Sequence, residues 1–482
     1  MIKNIYDLFS FILYIMRVLS LFVASLVASV SGHSFSSCQA GSPITVNTIT
    51  LTPDSPVGGK PLNIEVSASS TKVLQKLSAH VEAKAFGIKV LSTDFDICSS
   101  ITCPIAAGPV DIKISQDLPD GIPQGVTTDV QITLLDENSA QDGCVSMSLT
   151  FGSGSSLLRS QDNALYLYKL WVAQHGMTEN SHHLKNFRSN FAKVSAHNKK
   201  HAAGHSTFKM SLNKFSHLSA EEFKEFMGLN AKVPVRSGIK SDIQAVGVPD
   251  SIDWSSKLIS KDQKQCGSCF SFSCLGSIEG LYQIKYNKKV SLSEEEIVDC
   301  DTESNGFSSN GCSGGLMSDC LSYVEKNGIS SDSVYKYTAT DGTCRASKYP
   351  RVVKITSHTD IDSGDETSTK SALVKQPIAI AINAGDSLQS YESGYLTESD
   401  CSSEQSDLNH GVVLSGFMDY KDGQPVYKIL NSWSNSWGEN GFFYLTRNAQ
   451  TSSNNPGTCG MFLMASYPND VEDASNETIA EM

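Results

Sequence analysis

Basic residues are what this chain is short of. Lys and Arg number 38 against 51 Asp and Glu, a formal net charge of −13. A surface with that balance repels phosphate backbones, which excludes nucleic acid as a partner. Beyond the N-terminal segment no apolar run reaches membrane-spanning length. No metal-ligand spacing, calcium loop or nucleotide-binding motif occurs, so neither a metal nor a cofactor is expected. What the chain does have is 482 residues, 40% of them hydrophobic, and 13 cysteines. That length allows two or three domains with well-formed cores. Many of the cysteines lie in close pairs, which suggests disulfides and an oxidising, secretory environment.

The N-terminus agrees with that compartment. Met16-Arg17, an apolar run Val18 to Ala28 and the exit Ser29-Val-Ser-Gly32 read as a signal peptide over residues 1–32. Met16 is a candidate for the true start. The competing reading is an uncleaved anchor. The expected destination is the secretory pathway, ending in secretion or in a lysosome or vacuole.

Residues 33–152 alternate apolar and polar positions: Leu62, Ile64, Val66; Val110, Ile112, Ile114; Val130, Ile132, Leu134; Val145, Met147, Leu149, Phe151. Turn clusters such as Pro53-Asp-Ser-Pro56 and Asp120-Gly-Ile-Pro123 separate them. This is the pattern of a β-sandwich. Its four cysteines allow three pairings; the nested one joins Cys98–Cys103 and Cys38–Cys144. With Asp96-Ile-Cys98-Ser-Ser-Ile-Thr-Cys103-Pro104, the segment resembles the ML lipid-recognition family, immunoglobulin-like sandwiches that hold lipid between two sheets. The resemblance implies a lipid ligand. An ordinary sandwich with a filled core is the alternative.

A Gly/Ser-rich stretch opens an expected linker, 153–164, and a helical segment follows over 165–247. Glu179, His183, Phe187, Asn190, Val194 and Asn198 recur at helical spacing on one face. The set resembles the ERFNIN motif of cathepsin propeptides, with His183 for Arg and Val194 for Ile. Ser211-Leu-Asn213-Lys-Phe215-Ser-His217 resembles that family's second element, departing at Ser211 and His217. The resemblance implies an inhibitory propeptide lying backwards through an active-site cleft. Residues 161–247 hold 12 Lys/Arg and 6 Asp/Glu, a net +6, whereas 248–482 hold 17 and 32, a net −15. Electrostatics should therefore help hold the segment. Seven of the 11 histidines lie between His175 and His217, so acidification is expected to loosen it, with His183 and His217 at motif positions expected to be packed.

Chemistry concentrates in three short pieces: Gln263-Lys-Gln-Cys266-Gly-Ser-Cys269-Phe270, Asn409-His410-Gly411 and Asn431-Ser-Trp433. A thiol attacks only as thiolate, which a helix N-terminus and an imidazolium favour. Phe272, Leu275, Ile278 and Leu281 place Cys269 at the start of such a helix, spanning Phe270 to Ile284. These pieces resemble the papain/cathepsin cysteine proteases. The resemblance implies an α+β fold of two lobes over 248–470, making the chain multidomain, and an endopeptidase acting on protein or peptide substrates. It makes Cys269 the nucleophile and His410 the acid–base. Asn431 orients the imidazole, Gln263 donates to the oxyanion, and Trp433 shields the His–Asn bond.

The same resemblance implies disulfides Cys266–Cys312, Cys300–Cys344 and Cys401–Cys459. Cys274 and Cys320 are left either paired or as buried thiols. It also implies a cleft wall at Gly314 and Gly315 and a P2 pocket of Leu316, Met317, Leu408, Gly411 and Met464. An apolar pocket predicts Leu, Phe or Val at P2. Departures are Phe270 for Trp, Asn409 for Asp and Ser434 for Gly. The tail 471–482 reads as acidic and unstructured. A monomer is expected. Two alternatives stand beside this reading. One is a lipid carrier with a weak or inactive protease half. The other is an artificial join of two genes near Gly152–Ser160.

Overall fold

The computed structural model describes residues 29–30, 33–118, 125–152, 157–229, 248–447 and 455–475. The signal-peptide segment up to residue 28, the turn at 120–123, the processing stretch 230–247 and the acidic tail beyond 475 lie outside the described residues. Among the described residues no helix is long and apolar enough to cross a membrane. The chain divides into two compact units, 1–184 and 185–482.

The first unit is an antiparallel sandwich. One sheet has three strands, Ile44–Thr52, Pro61–Ser70 and Gly108–Asp117. The other has six, with Gln141–Thr150, Thr127–Leu135 and Ser78–Ala85 at its centre and Ile88–Asp96 at its edge. The alternation in Leu62–Val66 and Val130–Leu134 puts their apolar side chains between the sheets. Strands at 44–52, 78–85 and 88–96 carry a weaker pattern, interrupted by Thr, Lys and Asp. Both nested disulfides, Cys38–Cys144 and Cys98–Cys103, are present.

Two helices follow, α1 (Leu157–Gln174) and α2 (Ser181–Ala202). Helix α1 begins inside the expected linker and belongs to the first unit, where Gln174 Nε2 donates to Lys89 O at 2.6 Å. Glu179 stands exposed, ahead of α2, whereas Phe187, Asn190 and Val194 are buried along it.

In the second unit α3 (Ala220–Lys224) starts with a capping box between Ser219 and Glu222. The long helix α4 (Cys269–Tyr286) is buried on nearly every side, as its all-round apolar character requires. Helices α5 (Glu294–Cys300) and α6 (Met317–Asn327) pack beside it in one aliphatic core. Across from them lies a seven-stranded antiparallel sheet, whose strand His410–Asp419 runs against α4. Gly276 makes that approach feasible: a Cβ there would meet Val413 Cγ2 at 2.8 Å. Cys274 and Cys320 form a sixth disulfide, tying α4 to α6. The expectation of an unstructured tail fails at its start. Val471–Asp473 pairs with Val353–Ile355, because Val471 is fully buried in the helical core.

One buried acid sets a pH dependence. Asp301, at the end of α5, is pushed up to about 8, mainly by burial and further by Asp319, with the Ser309 hydroxyl opposing. Its folded pKa thus lies above an ordinary unfolded value near 3.8. The native state keeps a proton that the unfolded state releases. This contribution is full below about 3.8, declines as pH rises, and is gone once pH has passed about 8. Asp301→Asn should flatten the loss of thermal stability between pH 5 and 8, read by melting at a series of pH values; an unchanged slope would refute the assignment.

Candidate active site

The site forms where the N-terminus of α4 meets the start of the sheet strand at His410. Cys269 is the first residue of α4 and the one free cysteine among those described. Its sulfur accepts the Gly411 N–H at 3.2 Å. His410 Nε2 bonds Asn431 Oδ1 at 2.9 Å, and among described atoms its Nδ1 has no hydrogen-bond partner. That bond fixes the ring, with Nε2 as the donor. The Trp433 indole stacks on the imidazole, centroids 4.8 Å apart and planes 24° off parallel, which excludes water from the His–Asn bond.

Gln263 is fully buried. Its Oε1 accepts from Ser432 Oγ at 2.6 Å, which leaves its amide hydrogens facing Cys266 O (3.0 Å) and Phe226 O (3.1 Å). Ser432 also donates its backbone N–H to Asn431 Oδ1 at 2.8 Å. One residue thus sets both carboxamides. The sequence reading missed Ser432, whose only signal was its place between Asn431 and Trp433.

Segment 226–229 covers this site. Gly228 O accepts the Gly315 N–H at 2.9 Å, and Leu229 N donates to Asn409 O at 3.2 Å. Leu229 and Gly315 form a parallel bridge. A Cβ on Gly314, whose φ is +112°, would stand 2.7 Å from Gly228 O. Leu229 packs against the apolar core that contains Leu316, Met317, Leu408 and Met464. Gly411 lies between Cys269 and Met317. Leu316, Met317, Leu408 and Met464 thus share one apolar core, against which Leu229 packs.

Upstream, Phe215 and Phe223 meet the Trp433 ring edge-on at 5.2 and 5.4 Å. The strand Phe208–Met210 pairs with Tyr391–Gly394. Ion pairs Lys193–Asp386, Lys209–Glu392 and Lys214–Asp262 run from this segment to the acidic body. His217 is buried in a turn whose carbonyls accept from Asn186 and Asn190. His183 is half-buried, with its Nδ1 out of contact with solvent.

Burial sets the electrostatics of the pair. Cys269 and His410 are both fully buried. Burial pushes the thiol up to about 11, against the backbone N–H groups of Gly411 and Gly228, and drives the imidazole down to about 4, against its bond to Asn431. The covered site therefore holds a neutral thiol and a neutral imidazole, a pair without a nucleophile.

Comparison with known proteins gives three matches along the chain. The ML domain matches at residues 32–151, the cathepsin propeptide inhibitor domain (I29) at 168–223, and the papain family cysteine protease at 248–469. Vignain of Phaseolus vulgaris is 36% identical over 348 residues, covering 67% of this chain and 92% of that protein. A probable cysteine protease, RD21C, of Arabidopsis thaliana is 36% identical, covering 67% and 72%. Among solved structures, digestive procathepsin L 3 of Tenebrio molitor larval midgut is similar with a TM-score of 0.55 at 33% identity, over 65% of this chain and 99% of that one. The proform of the ragweed pollen cysteine protease Amb a 11 gives 0.57 at 26%, over 66% and 98%.

Proposed function

We propose, for a chain that belongs to the papain family of cysteine proteases, that Cys269, His410, Asn431 and Gln263 hydrolyse internal peptide bonds once segment 226–229 is withdrawn. The protein is a cysteine endopeptidase made as a zymogen, with its own propeptide as the resident inhibitor. Uncovering returns water to the site and lets the Cys269 proton pass to His410 Nδ1, giving thiolate and imidazolium. The thiolate attacks the scissile carbonyl. The oxyanion takes hydrogen bonds from Gln263 Nε2 and the Cys269 N–H. His410 gives its proton to the departing amine and then takes one from the water that hydrolyses the thioester. The observation that supports this reading is the Phe226 carbonyl, a peptide carbonyl that accepts from Gln263 Nε2 at 3.1 Å.

The uncharged floor at Met464 selects Leu, Phe or Val at P2 and disfavours Arg. A library of peptides blocked at both termini tests this. Cleavage next to apolar P2 residues is expected, while a requirement for a free terminus would contradict the endopeptidase assignment.

The sandwich is read as a lipid carrier attached to the enzyme. At the ends of the strands the inward residues Leu62, Ala68, Ala79, Ala83, Val130 and Leu134 are buried. Between them, Ile64, Val66, Val81 and Ile132 are only partly buried. The apolar interior thus falls into two clusters around a central layer that water reaches. A filled sandwich would bury that layer best. The full-length protein should take up a fluorescent polyene fatty acid, and Ile64→Trp should weaken uptake at least about tenfold by filling the space. No uptake by the unsubstituted chain would remove the lipid reading. We assign the protein to the secretory route, with delivery outside the cell or to a lysosome or vacuole, and to a monomeric state.

A further inference from the structure

Ser268 is the N-cap of the nucleophile helix, yet its side chain makes no capping bond. Serine at this position ordinarily accepts from the first helical N–H groups. Here the fully buried hydroxyl lies 2.6 Å from the phenol of Tyr337. The phenol in turn donates to the backbone carbonyl of Gln263 at 2.8 Å. A phenol has one hydrogen, and Gln263 O can only accept. The order of donation is therefore fixed: Ser268 to Tyr337, Tyr337 to Gln263. The Tyr337 ring is held edge-on to Phe272, one turn into α4, at 5.0 Å and 89°. Burial raises the phenol well above its ordinary range, so the hydrogen stays in place.

This chain of two bonds joins two parts of the site, beside the Gln263 Nε2–Cys266 O bond and the Lys261–Glu279 ion pair to α4. On one side is the residue before the nucleophile. On the other is the backbone of the oxyanion donor, in a loop whose next residue, Lys264, is forced to a φ of +53°. Ser432 fixes the Gln263 side chain, but from the opposite lobe. Lys261 ties the start of this loop to Glu279 of α4, and Tyr337 adds a tie at the Gln263 backbone itself, where a displacement of about 1 Å can cost an oxyanion donor about 10²-fold.

We propose that Tyr337 is a positioning residue for catalysis, holding Gln263 in register with Cys269 through Ser268. The inference rests on the oxyanion role given to Gln263 above. Tyr337→Phe keeps the ring on Phe272 and removes only the hydroxyl; Ser268→Ala cuts the other end. Each is made in the full-length chain, activated at acid pH, and quantified by titration of the free Cys269 thiol.

Tyr337→Phe should lower kcat about tenfold with KM within twofold, and weaken a peptide aldehyde, whose adduct carries the oxyanion, by a similar factor. Alkylation of Cys269 by iodoacetamide, which forms no oxyanion, should keep its rate and pH profile. Ser268→Ala should lower kcat by less, and the double variant should be no worse than Tyr337→Phe. Unchanged kcat in Tyr337→Phe, or an alkylation rate that falls in step with kcat, overturns the proposal. If Gln263→Ala also leaves kcat intact, the oxyanion role fails with it. If Gln263→Ala collapses kcat and Tyr337→Phe does not, the tie alone is wrong.

Discussion

Replacing Gly228 by alanine is expected to raise the reactivity of Cys269 in the unprocessed zymogen at least about 100-fold. A Cβ on Gly228 would stand 1.5 Å from Gly267 O and 2.0 Å from its carbon, inside the backbone that carries the nucleophile. No rotamer relieves a clash between a methyl group and main chain. The segment must lift, and with it go the Gly228–Gly315 bond, the Phe226 carbonyl on Gln263 and the seat of Leu229. A factor of 100 corresponds to about 2.7 kcal/mol, within the range of a severe overpacking defect. Alkylation of the zymogen by iodoacetamide at neutral pH reads it directly, because the same lifting rehydrates the thiol and the imidazole. Leu229→Ala removes a side chain without a clash and should raise reactivity far less. Equal reactivity of Gly228→Ala and the unsubstituted zymogen would mean that segment 226–229 does not close the site.

Gln263→Ala should lower kcat about 10²- to 10³-fold in the activated enzyme, the usual effect of deleting one oxyanion donor. The fall belongs to kcat, because the donor meets the oxyanion rather than the ground-state carbonyl. The same substitution removes the hydrogen bond to Phe226 O, so the propeptide should also bind more weakly. Cys269 alkylation in the activated variant should stay near its usual rate, since no oxyanion forms. Kinetics with a fluorogenic peptide, beside the alkylation rate, separate these effects. A kcat within threefold of the parent would reject the role.

The site was legible in the sequence because its chemistry sits in short contiguous motifs. Cys269, His410 and Asn431 each lie in a tripeptide or octapeptide whose local geometry fixes the side chain. The helix of Cys269 was readable from its apolar spacing, and extends two residues past the expected end, to Tyr286. What stayed hidden depends on neighbours distant in the chain. The Cys274–Cys320 bridge needs α4 and α6 side by side. The seating of Leu229 needs a cleft that exists only after both lobes form. Gly228 gave no signal, since its requirement for hydrogen at Cα comes from Gly267, 39 positions away. The strands at 44–52 and 78–96 were missed because bulges between Val46 and Thr48 and between Ala83 and Lys84 break the two-residue period, and because the inward positions of 78–85 are mostly alanine. The burial of Val471 was missed because an acidic flank suggested solvent.

This chain is a latent protease whose Cys–His pair is buried beneath its own propeptide segment. Acidifying the full-length protein beside a Cys269→Ala twin, with cleavage of a peptide bearing Leu or Phe at P2, tests it most directly. The Lys193–Asp386, Lys209–Glu392 and Lys214–Asp262 ion pairs tie the segment to the enzyme, and acidification should release it. Activity should rise as the propeptide is lost in the parent chain and never appear in the twin. A twin that matures and cleaves as fast as the parent, or a parent that stays inert after losing residues 185–247, would contradict it.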